Sequence, residues 1–240
     1  MQQITIKGEN YDITKLLGKG GFGYVYKVKC GNDLFALKVE EIQNQGEQSG
    51  LLQEKKVYEM LKGKEGFIQM KAYTHDNTHR VLVMELLDNS LDKLAESQVL
   101  HTNRIIHGDI KPNNIMYRAE SNEWYLIDFG LSHVMNDAHC PMLVDTIGGS
   151  WLYLSRNMHY LMQSYQNDFE SLAYYIVRRI KGSLPWSKDC VELQKKMDAV
   201  DNVRAFDMPK PYQAFIEECF AMDKFDVPNY SRLLTILNEI

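Results

Sequence analysis

The chain has 240 residues, enough for one large domain or for two lobes sharing a cleft. Hydrophobic residues make up 45% and charged residues 25%, a balance that allows a buried core and argues against a disordered chain. A net charge of −5 argues against a general nucleic-acid binder, which would be basic.

In chain order, the start "MQQITIKGENYDI" has neither a cationic leader nor an apolar run and does not read as a signal peptide. The runs "YVYKVKC" and "FALKVEE" alternate apolar and polar residues as half-buried antiparallel strands do, and "GND" at 31–33 reads as the turn between them. The polar stretch "QNQGEQSG" at 43–50 is a short connection. A helix is predicted over 51–63, with Glu54, Tyr58 and Leu61 on one face and Gly63 as its stop. A further strand is predicted at 80–87. The segment 168–182 has Leu172, Tyr175, Ile176 and Arg179 at helical spacing and is expected to be a buried helix. More helices are expected around 189–200, 211–221 and 229–240. Strands first and helices later predict an α+β chain: a small antiparallel sheet lobe with one helix, then a larger, mainly helical lobe, divided near Leu86–Asp88. No stretch approaches the roughly 18 apolar residues of a spanning helix, so no membrane partner is expected.

The four cysteines, Cys30, Cys140, Cys190 and Cys219, form no CxxC pair and read as free thiols in a reducing compartment. His139-Cys140 has no second ligand pair near it, too little for a zinc site.

Four motifs carry chemistry. "GKGGFGYV" at 18–25 fits GxGxxG, a pattern that dinucleotide-binding turns share. Such a turn is followed by a helix, whereas here a strand follows. A glycine-rich hairpin of this kind lets backbone amides approach phosphates, because no Cβ intervenes. Lys38 stands in mid-strand between Leu37 and Val39; it is either a snorkelling surface lysine or a phosphate-binding lysine steadied by Glu54. "HGDIKPNN" supplies Asp109, able to accept a hydroxyl proton, Lys111, able to steady a γ-phosphate, and Asn114, a neutral oxygen for a metal. "YLIDFG" adds Asp128 at a strand end. An Asp and an Asn suit Mg²⁺, which takes few ligands from protein. His107 and Phe129 are expected to pack as supports.

In this order, and across essentially the whole chain, these motifs resemble the eukaryotic protein kinase domain. More narrowly, "KLLGKGGFGYVY", "HGDIK" and "NDFESLAYYIVRRIKGSLPW" are similar to the casein kinase 1 superfamily and, within it, to the vaccinia-related kinases. The resemblance implies a bilobal fold and a Ser/Thr protein kinase using ATP with Mg²⁺, or Mn²⁺ in its place. It implies Asp109 as catalytic base, with Lys111, Lys38 and Glu54 also catalytic. Nucleotide would be held by Leu17, Gly18, Lys19, Gly20, Gly21, Phe22, Gly23, Tyr24, Val25, Ala36 and Lys38, by the gatekeeper Met84 with Glu85 and Leu87 of the hinge, and by Asn114 and Asp128, the two metal ligands. Asp168 would anchor the catalytic loop, and Tyr58, His107 and Phe129 would stack as a spine. Ser155, Arg156 and Asn157 match the group's Ser-Ile-Asn motif.

The chain also departs from the family. Gly108 replaces the usual Arg, which implies activity without activation-loop phosphorylation. Leu152 stands where casein kinase 1 relatives carry a phosphate-binding Arg, so a preference for pre-phosphorylated substrates is not implied. Only 21 residues separate Glu85 from His107, leaving "SLDKLAES" for a short supporting helix. Two alternatives stay open. Small-molecule kinases resembling the aminoglycoside and choline kinases also carry "HGD", though with His rather than Lys two places on; a pseudokinase would need a broken motif. Expected partners are proteins bearing Ser or Thr acceptors, the expected state is a monomer, and the expected compartment is the cytoplasm or nucleus, of a host cell were the chain viral.

Overall fold

The computed structural model describes residues 3–20, 23–42, 49–64, 67–87, 100–118, 123–136, 141–186 and 193–237. Its elements in chain order are β1 (Gln3–Ile6), β2 (Glu9–Gly20), β3 (Gly23–Cys30), β4 (Asp33–Glu41), α1 (Gly50–Met60), β5 (Met70–His75), β6 (His79–Glu85), β7 (Ile105–Ile106), β8 (Ile115–Arg118) and β9 (Glu123–Leu126). There follow β10 (His133–Val134), β11 (Met142–Leu143), β12 (Met162–Gln163), α2 (Tyr165–Lys181), α3 (Leu193–Asp201), α4 (Lys210–Ala221) and α5 (Tyr230–Leu237). The predicted helix in "SLDKLAES", the connection at 43–48, His139, Cys140, Cys190 and the first residues of the helix expected at 189–200 lie outside the described residues.

The chain forms two compact units. The first comprises Met1–Leu91 and Ile115–Leu131, the second Asp92–Asn114 and Ser132–Ile240. The β8–β9 hairpin and Asp128 group with the sheet.

The first unit is a six-stranded antiparallel sheet of order β1-β2-β3-β4-β6-β5. Lys7 and Gly8 both take positive φ, 51° and 85°, as a two-residue hairpin turn between Ile6 and Glu9 requires. Gly31, at φ 61°, opens the turn that pairs Cys30 with Asp33. One sheet face buries Ile6, Tyr11, Val28, Leu37, Ala72, Val81 and Val83. β2 and β5 escape the alternation rule. Register shifts between Ile13 and Lys15 and between Leu16 and Gly18 break the two-residue period of β2, and another lies between Met70 and Ala72.

The predicted inward face of α1 is buried, with Glu54 1%, Tyr58 3% and Leu61 1% exposed. The helix begins at Gly50, where the Ser49 hydroxyl caps it by accepting the Leu52 N–H at 3.0 Å. It ends at Met60, before the expected stop; Gly63, at φ 73°, belongs to the turn that follows.

In the second unit α2 is buried nearly all round from Tyr165 to Val177. It starts three residues before the expected position, because the polar Gln166 and Asn167 find partners inside: the Asn167 amide donates to the Met162 carbonyl at 2.7 Å, and Gln166 accepts from Asn157 at 2.8 Å. Arg179 is exposed rather than buried. It lies past the end of the core in a last turn with Arg178 and Lys181, where cations face the negative end of the helix dipole. Gly182 closes the helix in the left-handed conformation at φ 80°.

Gly23 has the tightest main-chain approach in the sheet. Its φ is 111°, and a Cβ there would meet the Val39 carbonyl oxygen at 1.9 Å. Gly23→Ala should therefore cost about 1–3 kcal/mol of stability, read as a lowered melting temperature; an unchanged melting temperature would contradict the close packing.

Candidate phosphoryl-transfer site

Lys38 lies on β4, opposite Val25 on β3 and Leu82 on β6. Its side chain points inward, where Nζ meets Glu54 Oε2 of α1 and Asp128 Oδ1, both at 2.7 Å. Burial alone would lower the lysine's pKa, but the two carboxylates outweigh it and raise the value, so Lys38 is a fixed cation. Asp128 sits at φ 65°, in the left-handed region that Asp tolerates better than most residues, directly before Phe129. Phe129 is fully buried and meets Tyr58 edge-to-face at 5.2 Å between ring centroids. The Tyr58 hydroxyl in turn donates to the sulfur of Met84 at 3.8 Å.

The remaining predicted nucleotide contacts line the same unit. Leu17, Gly18, Lys19 and Gly20 end β2, and Gly23, Tyr24 and Val25 begin β3, with Gly20 paired to Gly23. Gly21 and Phe22 lie outside the described residues. Ala36 pairs with Met84 across β4 and β6. Glu85 ends β6, two residues before Leu87, and its carboxylate accepts from the Gln69 N–H at 3.0 Å and from Arg118 at 2.9 Å.

The second unit carries the "HGDIKPNN" loop up to Asn114. Both oxygens of the buried Asp109 carboxylate are engaged. Oδ1 accepts the Ser150 N–H at 2.8 Å. Oδ2 accepts from Lys111 Nζ at 2.5 Å and from the Asn114 amide at 3.2 Å. That amide also donates to the Asp109 carbonyl at 2.9 Å, leaving Oδ1 of Asn114 as a neutral acceptor. Asp109, Lys111 and Asn114 thus converge in one unit, and Lys38, Glu54 and Asp128 in the other.

Below the loop, the buried Asp168 on α2 accepts the N–H groups of His107 at 2.8 Å and Gly108 at 2.9 Å, and meets His101 Nε2 at 3.0 Å. The other ring nitrogen of His101 meets the Tyr230 hydroxyl at 2.7 Å. Burial pushes the Asp168 pKa up, but the hydrogen bond and charge of His101, the charge of His107 and the Gly108 N–H hold it below the ordinary carboxylate value. Gly108 itself sits at φ 79°, so glycine adopts without strain the backbone that presents Asp109. His107 is fully buried, as expected.

Arg156 of the "SRN" stretch binds Glu170 of α2 through its main-chain N–H at 2.7 Å and its Nε at 3.1 Å. Leu152 is buried and offers nothing to a phosphate. Ser150, His101, Tyr230 and Glu170 escape sequence reasoning. The N–H of Ser150 has no signature in residue type, Tyr230 lies far along the chain from the loop it supports, and His101, six residues before His107, stands in no motif. Glu170 is one of several polar residues on α2, so residue type alone does not single it out.

The family model described as "Protein kinase domain" matches residues 11–99 and 94–235. A protein described as a probable casein kinase I homolog, from Encephalitozoon cuniculi (strain GB-M1), is 29% identical over 276 residues, covering 98% of this chain and 86% of that relative. Among solved structures, that of vaccinia related kinase 3 matches with a TM-score of 0.76 at 17% identity, covering 99% of this chain and 89% of the other. That match establishes a shared α+β, kinase-like fold.

Asp168→Asn should remove roughly 3–5 kcal/mol of stability near neutral pH, because it disturbs a buried, fully partnered charge. The folded-state pKa of Asp168 is depressed, so its contribution is complete above the unfolded-state value and fades as pH falls through the folded-state value. Melting curves of wild type and variant should therefore lie farthest apart at neutral pH and converge in acid; a constant gap would contradict this reading.

Proposed function

Because the chain belongs to the protein kinase domain family and is similar to a casein kinase I homolog, we propose that it transfers the γ-phosphoryl group of ATP to Ser and Thr hydroxyls of proteins. The observation that carries this reading is the Asp109 cluster: a buried carboxylate held by a lysine, an amide and a main-chain N–H. A carboxylate can serve as base for an acceptor hydroxyl when it is held within hydrogen-bond reach in a fixed orientation. Lys111 two positions after Asp109 supports the Ser/Thr assignment.

Asp109 accepts the proton of the attacking hydroxyl, and Lys111 exchanges its contact with Asp109 for the γ-phosphate. Lys38, kept cationic by Glu54 and Asp128, clamps the inner phosphates. The strand ends around Gly18, Gly20 and Gly23 bring main-chain N–H groups to the phosphates. The adenine lies along Ala36, Met84, Glu85 and Leu87, and the Glu85 side chain, engaged by Arg118 and Gln69, leaves the main chain to make the polar contacts.

Asn114 and Asp128 are the residues that would hold Mg²⁺ or Mn²⁺. The donors fit a hard cation: the amide nitrogen of Asn114 is directed at Asp109, so an oxygen remains, and Asp128 is a carboxylate beside a fixed cation. The chemistry such an ion supplies when bound is neutralisation of phosphate charge.

Activity is proposed to be constitutive, because Gly108 places no guanidinium next to Asp109 to sense a phosphorylated loop. Phosphatase-treated protein should phosphorylate a Ser/Thr protein acceptor as fast as untreated protein, by radiolabel transfer and mass spectrometry; loss of activity on treatment would overturn this. In the same assay Asp109→Asn and Lys38→Met should each reduce the rate by about 10²-fold or more. Equal rates from all three proteins would expose a contaminating kinase, and label on sugar or choline acceptors instead of protein would point to a small-molecule phosphotransferase.

A further inference from the structure

In the second unit, an ammonium lies buried among aromatic rings and takes no part in the mechanism above. Lys196 projects from α3 and is 0% exposed. Its Nζ donates to the main-chain carbonyls of Trp151 at 2.9 Å and Leu154 at 2.5 Å. The ring centroids of Tyr174 and Trp186 each lie 5.5 Å from it. Burial lowers its pKa to about 8, which measures how poorly the site suits a charge. Replacing such a charge by an apolar side chain of similar volume is often neutral or stabilising. Stability alone therefore does not account for a lysine at this position, and what it holds becomes the question.

It holds the turn that reaches the proposed base. The Ser150 N–H donates to Asp109 Oδ1 at 2.8 Å. The Tyr153 N–H returns to the Ser150 carbonyl at 2.8 Å, closing the turn. The Trp186 indole N–H donates to the Leu152 carbonyl at 2.8 Å. Lys196 takes the carbonyls on either side, so the turn is pinned from behind by two side chains. In front there is little slack: a Cβ on Gly149 would come 3.0 Å from the Gly108 carbonyl and 3.5 Å from Asp109 Oδ1. Movement of this turn carries the Ser150 N–H off the carboxylate.

We propose that Lys196 is a positioning residue for phosphoryl transfer: by fixing the carbonyls of Trp151 and Leu154 it holds the Ser150 N–H on Asp109 and so aims the carboxylate at the acceptor hydroxyl. This rests on Asp109 being the base. The residue lies 87 positions from Asp109 in the chain and acts on it only through main-chain atoms.

The test uses the full chain, Mg²⁺-ATP and a Ser/Thr protein acceptor. Lys196→Met keeps the apolar stem and removes the donors. Its kcat should fall by about 10- to 100-fold, as displacement of a positioned group does. Its KM for ATP should stay within about twofold of wild type, because uniform nucleotide binding is untouched. The melting temperature should not fall, and the Ser150 amide should exchange faster with solvent by NMR. Lys196→Gln, which keeps an N–H donor, should recover part of the rate and serves if the methionine variant does not fold. Wild-type kcat in Lys196→Met, or a loss that tracks a lower melting temperature with Ser150 exchange unchanged, would overturn the proposal. So would failure of both variants to fold, which would make Lys196 purely structural. If the wild type transfers no phosphate to protein, the kinase reading fails instead, and the Ser150 exchange comparison still decides whether Lys196 holds the turn.

Discussion

The buried carboxylate of Asp168 is the constraint on which the second unit of this protein depends. An ionised group in an apolar interior is tolerated only when its hydrogen-bonding capacity is met. Here two consecutive main-chain N–H groups, those of His107 and Gly108, and the ring of His101 meet it. The loop must therefore bend around a fixed point, and it does so with Gly108 in the left-handed conformation. The direction of Asp109 follows from that bend. Through His101 the same carboxylate is linked to Tyr230, so α5 is tied to the loop although it contributes nothing to the chemistry.

The first unit repeats the principle with the opposite sign. Lys38 is a buried cation placed by strand register and satisfied by one carboxylate from a helix and one from the segment after β9. In each unit a single buried charge gathers groups distant in the chain and orients them before any substrate is present. Such preorganisation favours chemistry, because little has to reorganise as charge develops in the transition state. Burial of Phe129 against Tyr58 adds an apolar contact that holds the backbone following Asp128.

Gly108 changes meaning between sequence and structure. Read as a letter, it marks the loss of an arginine and hence of a sensor for a phosphorylated loop. Read as a backbone, it is a residue at φ 79° whose N–H binds Asp168. The two descriptions are compatible: glycine removes a side chain from a position whose main chain is under geometric demand. The segment after Gly149 brings a main-chain donor, the N–H of Ser150, to Asp109.

The amino-acid sequence by itself determined the α+β plan, the strands β3, β4 and β6, the inward face of α1 and the buried character of α2, because hydrophobic patterning is a local property of the chain. It also determined which residues could carry phosphoryl transfer, because Lys38, Glu54, Asp109, Asn114 and Asp128 stand in motifs whose spacing reflects their chemistry. Tertiary structure alone decided the rest. The bulged course of β2, the start of α2 among polar residues and the exposure of Arg179 depend on where the core ends and on which buried amides find partners. The grip of Lys196 on Trp151 and Leu154, and of Ser150 on Asp109, uses main-chain atoms. Every residue has those atoms, so no choice of side chain can announce the contact before the chain has folded.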